Sequence, residues 1–495
     1  MNSFLKNYVN ELQLLRVKAG LTIISKNKLL KSLAKDVLIT FTMVWVFISA
    51  VKLFYDINYL LLFPLILLSV LVSFLTPYLK YKLLVRSRSK LLENEFTYFI
   101  ISEAITLTGY TELLNDICEL SGWESVFPTL FREGLRLKMY RRFLTLFETV
   151  NHYIKYVSSD FISRLLGDYL LAVSKGIVSS WLIHSSTELI HKLRVDAKAL
   201  IRLRATTILV IGVLISYLPT LMVSLSIITG DKGLTSVIEL TPVIVVMSVV
   251  LLPRNVLHLK IYYNFNTIKK VVTVASYVLM AYVAYHLVID PYSAKYLMLS
   301  VSAIALINGV LGIKKLYEAV NEIYEVPKIM YMFAETPSIL INPLKALKDV
   351  LSGCRSKSLK ELGTKIDLNS HSTGAAVLNS WIGRYTYYVL IKSLINGSLS
   401  KEQLLGLRIL TMDMLEDFKQ YLVGTFPLIM MSLMVPWLMS SMISLANVNF
   451  IDYGLYIYLI TITYAVYVDY AVFGTASTTL ISGIVLLFIS LIWVC

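Results

Sequence analysis

The sequence predicts an all-α integral membrane protein with about nine transmembrane helices and two tandem helical-bundle domains on the cytoplasmic side. Three observations predict this fold class: long apolar runs, an uneven distribution of basic residues, and a spacing of loops that repeats along the chain. Of the 495 residues, 57% are hydrophobic, a fraction above that of ordinary soluble domains. A bilayer core about 30 Å thick requires roughly 20 apolar residues in a helix, so each long apolar run is a candidate span.

Nine apolar runs reach this length or come close to it. They are Val37–Phe54, Leu60–Tyr78, Ala205–Ile228, Val237–Leu252, Val271–Ile289, Tyr296–Ile313, Tyr421–Leu445, Leu455–Val468 and Ala471–Cys495. Two of them, Val237–Leu252 and Leu455–Val468, are short, and the second ends at Asp469. A re-entrant or half-buried segment is the alternative for each of these two runs.

Basic residues fall almost entirely on one side of this predicted topology. The segments that hold 43 of the 46 Lys and Arg residues are 1–36, 80–204, 254–270 and 314–420. The alternate loops contain only Lys232 and Lys295. Because loops rich in Lys and Arg stay in the cytoplasm, we expect a multi-pass protein of the cell membrane with its amino terminus inside and Cys495 outside.

The net charge of +14 is explained by this topology without a nucleic-acid partner. Anionic headgroups of the inner leaflet attract juxtamembrane cations. The cations that follow the second predicted span are Lys80, Lys82, Arg86, Arg88 and Lys90. We therefore expect membrane lipids, and no nucleic acid, as the partner of these basic residues.

The predicted segments follow one another in a repeating order. They are an amphipathic cytoplasmic segment (1–36), spans one and two (37–79), cytoplasmic domain 1 (80–204), spans three to six (205–313), cytoplasmic domain 2 (314–420) and spans seven to nine (421–495). The amphipathic segment either lies on the inner leaflet or packs on domain 1. Two spans, a domain and two spans occur twice in the same orientation, which predicts a parallel internal duplication.

Short residue matches predict the register of this duplication. Gly167 aligns with Gly383 at an offset of 216, and the same offset carries Arg204 onto Gln420. Near the start of each domain, Glu93 and its neighbours resemble the segment that begins at Glu322, at an offset near 230. The difference predicts that domain 2 has lost some 14 residues. Chance similarity is the alternative explanation for matches this short.

Within the domains, apolar residues recur at helical spacing. The first such pattern is Phe96, Phe99, Ile100, Glu103 and Ala104. Gly and Pro separate the helical stretches, so each domain is predicted to be a bundle of about four to six helices.

The sequence contains few residues arranged for chemistry. Phosphate-binding, dinucleotide-binding and zinc-binding motifs do not occur in it, and its three cysteines predict no disulfide framework. His184, Glu188 and His191 share a helical face, but a di-iron site needs a second Glu-x-x-His, so a solvated face is the simpler interpretation. Asp469 and Asn308 are the other polar residues near the spans. We expect no enzyme activity, no cofactor and no metal site.

Clustered charges on the two domains indicate docking surfaces for a protein partner. The candidate partner-binding residues are Glu93, Glu95, Arg132, Arg136, Lys138, Arg141, Arg142, Glu322 and Glu325. For any one of them, a solvated helix face is the alternative.

This plan resembles the type II secretion system F family. The residues that carry the resemblance are Glu93, Glu95, Phe96, Phe99 and Gly109 at the start of domain 1, and Glu325-Val326-Pro327 at the start of domain 2. Domain 1 has Phe96-Thr97 where the family commonly has Leu-Pro after the leading Glu. Nine spans with two long cytoplasmic domains look most like the archaeal members, the platform proteins of type IV pili and of the archaellum.

The resemblance implies a function without catalysis in this chain. Members of the family bind a hexameric secretion ATPase on the cytoplasmic side and couple it to the extraction and assembly of pilin-like filament subunits, and a homodimer is implied. Two alternatives compete with this interpretation. A polytopic secondary transporter would need broken helices and polar midplane residues, and a membrane-embedded glycosyltransferase-type enzyme would need an acidic site, for which Asp469 is the sole candidate.

Overall fold

The computed structural model describes residues 3–21, 27–29, 31–39, 41–42, 59–106, 109–230, 241, 244–245, 248, 260–262, 267–335, 342–365, 374–397, 399–446, 450–475 and 478–492. Within these ranges the chain is helical and forms no strand; Ile261 and Ser380 make one isolated antiparallel bridge. The predicted all-α class is confirmed. The chain divides into two compact units, Met1–Ser186 and Thr187–Cys495.

The first unit is built on one long helix. Its helices are α1 (Ser3–Lys18), α2 (Tyr59–Thr106), α3 (Gly109–Cys118), α4 (Pro128–Arg141), α5 (Leu146–Tyr156), α6 (Asp160–Lys175) and the start of α7 (Val178–Thr229). The predicted span Leu60–Tyr78 is the first part of α2, which continues without a break to Thr106. The predicted apolar face of α2 from Phe96 to Ala104 is buried.

Helix α1 packs against the part of α2 that follows the predicted span. Val9 and Leu12 are buried together with Tyr81 of α2, and the Arg16 guanidinium donates a hydrogen bond to the Tyr81 hydroxyl at 2.9 Å. Of the two predicted positions for the amphipathic segment, the structure shows α1 packed on this helix. The apolar stripe of α1 is therefore covered by protein within the first unit.

The second unit contains the rest of α7 and eight further helices with defined bounds. They are α8 (Thr267–Ile289), α9 (Pro291–Glu335), α10 (Pro343–Ser352), α11 (Lys357–Lys365), α12 (Trp381–Asn396), α13 (Lys401–Leu445), α14 (Phe450–Phe473) and α15 (Leu480–Ile492). Five of the predicted spans lie on these helices. They are Ala205–Ile228 on α7, Val271–Ile289 on α8, Tyr296–Ile313 on α9, Tyr421–Leu445 on α13 and Leu455–Val468 on α14.

Five helices of the described chain are long and apolar enough to cross a membrane. They are α7, α8, α9, α13 and residues Tyr453–Phe473 of α14. Much of their apolar surface faces outward, as at Val213, Val278 and Met434, which suits contact with lipid tails. The protein is therefore a membrane protein. The predicted spans Val37–Phe54 and Val237–Leu252 lie for the most part outside the described residues, and the number of nine stays a prediction.

The two predicted boundaries near the carboxyl terminus were wrong. The span predicted at Leu455–Val468 is a longer helix, Phe450–Phe473, so Asp469 lies inside α14 and does not end it. Residues 471–473, assigned to the last span, belong to α14 as well, and the next helix begins only at Leu480. Asp469 is tolerated in a helix because protein groups satisfy its carboxylate, as described below.

Helix α14 is surrounded by the other membrane helices of this unit. The hydroxyl of Tyr458 donates a hydrogen bond to the Met280 carbonyl of α8 at 2.8 Å, and the hydroxyl of Tyr467 donates to the Ile208 carbonyl of α7 at 3.0 Å. Both tyrosines are fully buried. Hydrogen bonds of this kind hold helices together where lipid offers no hydrophobic driving force.

Small residues bring α9 and α15 into direct backbone contact. A Cβ atom added to Gly309 would lie 2.6 Å from the Cα atom of Leu480, and one added to Gly483 would lie 2.8 Å from the backbone N of Leu306. Ala305, Gly309 and Gly312 recur on the same face of α9. Helices in membranes commonly pack through such small-residue stripes, because the backbones can then approach closely.

Candidate functional site

Glu95 binds the amino-terminal end of α4 in the first unit. Its side chain is buried, and its Oε2 atom accepts hydrogen bonds from the backbone N–H groups of Thr129 and Leu130 at 2.8 and 2.7 Å. The first N–H groups of a helix have no partners within the helix and carry a partial positive charge. A carboxylate at this position satisfies both, so Glu95 holds the start of α4 against α2.

Glu93 binds the residue that caps α6. The Ser159 hydroxyl donates a hydrogen bond to Oε1 of Glu93 at 2.6 Å and accepts one from the N–H group of Ile162 at 3.2 Å. Ser159 is therefore the N-cap of α6, and Glu93 fixes the orientation of its hydroxyl. The two predicted docking residues at the start of domain 1 thus bind two helix starts within the domain.

The second unit repeats this arrangement at Glu325. Its carboxylate accepts hydrogen bonds from the backbone N–H groups of Arg355 and Ser356, the latter at 2.7 Å. These two residues directly precede α11, which begins at Lys357. Glu325 of α9 therefore binds the chain just before α11, whereas Glu95 of α2 binds N–H groups within the first turn of α4.

Glu322 is the counterpart of Glu93 and is completely buried. Its carboxylate accepts hydrogen bonds from the N–H groups of Asn379 and Ser380 at 3.0 and 2.9 Å, and from the hydroxyls of Ser380 and Ser358, the latter at 2.9 Å. Ser380 is the N-cap of α12, and its hydroxyl accepts from the N–H group of Gly383 at 3.0 Å. We call the four residues Glu93, Glu95, Glu322 and Glu325 the clasp carboxylates.

The helices capped by Ser159 and Ser380 match in length and in both ends. Each has 16 residues, begins after a serine N-cap and ends at a left-handed glycine, Gly176 with φ 68° and Gly397 with φ 65°. The two serine caps are 221 residues apart in the sequence, and so are the two glycine caps. This spacing differs from the predicted offset of 216, and the internal duplication stays a prediction. Gly383 lies in the first helical turn against Glu322, whereas a Cβ atom added to Gly167 would meet no atom within 4 Å.

The offset between the clasp carboxylates agrees with the sequence match at the domain entrances. Glu93 and Glu322 are 229 residues apart, and Glu95 and Glu325 are 230 apart, close to the predicted 230. Between these residues and the serine caps, domain 2 is shorter by eight or nine residues, fewer than the predicted 14. Helix start and stop signals at the Ser and Gly caps were the evidence in the sequence that could have given the correct register.

The predicted basic cluster on α4 does not form one surface. Arg132, Lys138 and Arg142 are exposed, whereas the Arg136 guanidinium binds the carboxylate of Glu133 at 3.3 Å. Arg141 is half-buried. Docking of a partner through the predicted residues stays a prediction. Of the predicted cations, a partner could reach the exposed ones without opening the domain.

A buried ion pair between Arg88 and Glu133 links α2 to α4. Glu133 is nearly fully buried, and Arg88 also donates a hydrogen bond to the Ala19 carbonyl at 2.7 Å. The prediction that Arg88 binds lipid headgroups is thus not supported by its contacts, because its guanidinium is occupied by protein groups. Glu133 lies among the cations of α4, and no pattern in the sequence distinguishes it from an exposed acidic residue.

Asp469 in the membrane helices binds the start of another helix. Its carboxylate accepts hydrogen bonds from the N–H groups of Ile481 and Ser482, both at 2.9 Å, and from the Ser482 hydroxyl at 2.6 Å. The side chain is completely buried. A carboxylate within a membrane helix is a functional-site hypothesis by default, but here its oxygens are engaged in fixing the start of α15.

Asn308 of α9 joins three helices close to the same level. Its Nδ2 atom donates a hydrogen bond to the Thr479 hydroxyl at 3.1 Å, and its Oδ1 atom accepts one from the Thr273 hydroxyl at 3.3 Å. The Thr479 hydroxyl in turn donates to the Ala305 carbonyl at 2.9 Å. Polar side chains inside membrane bundles commonly join helices in this way.

In the described part of the chain, no group of three or more His, Cys, Asp or Glu side chains could hold a metal ion. The side chains of His184, Glu188 and His191 are exposed on α7. The arrangement of charged groups that the structure does contain is the set of clasp carboxylates. These four carboxylates bind backbone and serine groups at or just before helix starts.

The two described cysteines, Cys118 and Cys354, should differ in reactivity. Burial, with a further contribution from the nearby Glu325 carboxylate, raises the pKa of the Cys354 thiol to about 11. Cys118 is only half-buried, and burial raises the pKa of its thiol as well. Because the thiolate is the reactive species, we expect iodoacetamide at pH 7.5 to modify Cys118 faster than Cys354 in the folded protein. In denaturant the modification rates of the two thiols should converge. Mass spectrometry of the two cysteine-containing peptides measures both rates, and equal rates in the folded protein would contradict this expectation.

Comparisons with known proteins did not identify a relative: no family model, no curated protein and no solved structure matches the chain.

Proposed function

We propose that this chain is the membrane platform of a type IV pilus-like filament assembly system, of the pilus or archaellum kind. In this proposal the cytoplasmic domains receive motion from a hexameric secretion ATPase. The membrane helices pass that motion to pilin-like subunits as these leave the bilayer. The protein acts as a homodimer in the cell membrane, has nine spans and an internal duplication, and performs no catalysis itself.

The observation that carries the proposal is the continuity of the helices that join membrane and domain. In the first unit, α2 contains a predicted span and then 28 further helical residues up to Thr106. In the second unit, α9 and α13 each have 45 residues and contain both an apolar stretch and a charged cytoplasmic stretch. A continuous helix of this length transmits displacement along its axis far better than a flexible linker.

The clasp carboxylates support the same proposal, because they tie each domain to such a helix. Glu93 and Glu95 lie on α2, and Glu322 and Glu325 lie on α9. Each of them binds the start of a helix that belongs to the surrounding bundle. A force on the bundle would therefore reach the helix that enters the membrane through several short hydrogen bonds to backbone groups, which hold better than contacts between mobile side chains.

Within the proposal, the ATPase binds the exposed cation Arg132 on α4. Exposed charges of this kind mainly set the rate of association and make it sensitive to salt. The two competing functions have less support. A transporter needs polar groups free to bind a substrate in the membrane, whereas Asp469 and Asn308 are engaged with neighbouring helices. A glycosyltransferase-type enzyme would need Asp469 available at the membrane surface.

The proposal is tested by weakening α2 between its membrane part and its domain. Leu83 and Leu84 are exposed there, so replacing both by Gly removes no buried contact. Gly costs a helix interior about 1 kcal/mol per residue, which creates a flexible point. We expect the Leu83→Gly/Leu84→Gly variant to insert and to co-purify with the secretion ATPase of the same cell, but to assemble few filaments.

The Leu83→Ala/Leu84→Ala variant is the matched control, since it removes the same side chains and keeps a strong helix former. It should assemble filaments normally. Filaments are counted by electron microscopy in cells that lack the native copy. Normal filament numbers with the Gly pair would contradict mechanical coupling through α2, and failure of the wild-type chain to bind any secretion ATPase would contradict the platform function itself.

A further inference from the structure

The end of α4 and the start of α5 expose apolar side chains beside cations. Phe143 is 87% exposed and Met139 is 65% exposed, and Phe147 projects from the first turn of α5. Lys138 and Arg142 are exposed in the same stretch. Large apolar side chains in water at a turn, next to basic residues, are typical of surfaces that bind the membrane interface. We call residues 139–147 the α4–α5 tip.

Two contacts fix the direction in which α4 runs along α2. The carboxylate of Glu95 binds the N–H groups at the start of α4, whereas Arg88, seven residues closer to the predicted span, binds Glu133, a turn further along α4. Moving along α4 towards its carboxyl end therefore means moving along α2 towards Tyr78, the predicted end of the span. Helix α4 points back to the membrane.

The helical rise brings the tip towards the predicted membrane surface. Arg88 follows Tyr78 by ten residues, which is about 15 Å of helix at 1.5 Å per residue. From Glu133, the eight residues to Arg141 return at most about 12 Å in the opposite direction, and the turn that holds Phe143 follows. The tip therefore lies on the side of the first domain that faces the predicted end of the span, where the topology predicts the headgroups of the inner leaflet.

The charges at the tip also suit that location. Lys138 and Arg142 are exposed cations. Glu148, in the first turn of α5, accepts hydrogen bonds from the N–H group and hydroxyl of Thr145 in a capping box at 3.0 and 2.9 Å and keeps its negative charge. Glu119 lies near the same cations, since Glu119, Lys138 and Arg141 all act on the Cys118 thiol. Three cations, Lys138, Arg141 and Arg142, therefore outnumber these two carboxylates, and anionic lipids attract a face with excess positive charge.

We propose that the α4–α5 tip is a membrane-binding element that docks on anionic lipids of the inner leaflet. Met139 and Phe143 enter the boundary between headgroups and acyl chains, and Lys138 and Arg142 bind lipid phosphates. The docked tip fixes the first domain at a set height above the bilayer. The proposal rests on the predicted inside position of this domain, and it is independent of filament assembly.

The test uses the full-length protein in lipid nanodiscs, with Cys118, Cys354 and Cys495 replaced by Ser. A nitroxide is attached at Met139→Cys, which leaves Phe143 in place, and its accessibility to oxygen and to a water-soluble nickel complex is measured. In discs of phosphatidylcholine with one third phosphatidylglycerol, we expect severalfold lower nickel accessibility than for the same label at Arg132→Cys. That position is the matched control, since it is exposed on α4 but distant from the tip.

Further measurements decide the source of any protection. Discs of phosphatidylcholine alone, and the Arg142→Gln and Phe143→Ser changes, should each restore nickel accessibility at position 139. Free inorganic phosphate or glycerol phosphate added to the neutral discs should not reproduce the protection. Amide hydrogen exchange tests the docking in the unmodified protein. We expect residues 139–147 to exchange more slowly in the anionic discs than in the neutral discs.

Equal nickel accessibility at positions 139 and 132 in the anionic discs, with equal exchange in both lipids, would overturn the proposal. Protection that appears only when a secretion ATPase is added would also overturn it, because the tip would then be a protein-docking surface. Neither result would bear on whether the α2 variants assemble filaments, so the two proposals fail separately.

Discussion

Replacement of Glu322 by Ala is expected to destabilise domain 2 by about 3–5 kcal/mol. The change leaves the N–H groups of Asn379 and Ser380, and the hydroxyl of Ser358, without their acceptor in a buried site. Each buried polar group that loses its partner costs about 1–3 kcal/mol. Trypsin cleavage at Lys357 and Lys360 of the purified protein, followed against temperature, measures the opening of the domain.

The matched control is Glu318→Ala, one turn earlier on α9. Glu318 is partly exposed and pairs with Lys315 at 3.5 Å, and a surface pair of this kind contributes about 0–1 kcal/mol. The loss of stability in Glu322→Gln should lie between those of the two Ala variants. The Gln amide keeps one acceptor oxygen but turns an NH2 group towards the donors of Asn379, Ser380 and Ser358. If Glu322→Ala and Glu318→Ala resisted trypsin equally, the clasp would have no part in holding α12 to α9.

Replacement of Gly309 by Leu is expected to cost about 3 kcal/mol in the membrane helices. Even a single Cβ atom would lie 2.6 Å from the Cα atom of Leu480 and 2.8 Å from its backbone N, so the backbone of α15 must move. Flexible side chains can turn away from such a clash, but a backbone cannot. The displacement would also break the bonds that Asn308 makes to Thr479.

Gly424→Leu serves as the control for this change. Gly424 lies in the predicted span Tyr421–Leu445, and a Cβ atom there would meet no atom within 4 Å. The control removes a helix-weakening glycine and should leave the unfolding temperature of the detergent-solubilised protein unchanged or slightly higher. Gly309→Leu should lower that temperature by several degrees. Equal unfolding temperatures would mean that α15 does not pack closely on α9.

Both changes concern residues that connect one helix to another, and they bear differently on the proposed function. Glu322 joins the second domain to α9, so its loss should uncouple that domain. Gly309 positions α15 beside the membrane part of the same helix. Filament assembly should therefore fail in both variants, but only Glu322→Ala should open domain 2 to trypsin while the membrane helices stay assembled.

The acidic residues show why charge in a sequence does not reveal its surroundings. Glu95 and Glu322 occur among charged neighbours at the start of each domain, which suggested exposed docking residues. Both are buried, because the N–H groups at helix starts supply a favourable environment that neighbours in sequence do not show. The partners of Glu322, at Ser358 and Ser380, lie 36 and 58 residues further along the chain.

The sequence by itself determined that this is an all-α membrane protein and gave the general position of the described spans, because run length and hydrophobicity respond to bilayer thickness alone. It also predicted the buried face of α2, since helical periodicity is local. Only the tertiary structure decided which charges are buried, where Asp469 lies within α14, and which serines cap the two 16-residue helices. These features depend on which helix starts come to lie beside which side chains, and such contacts form between residues far apart in the chain.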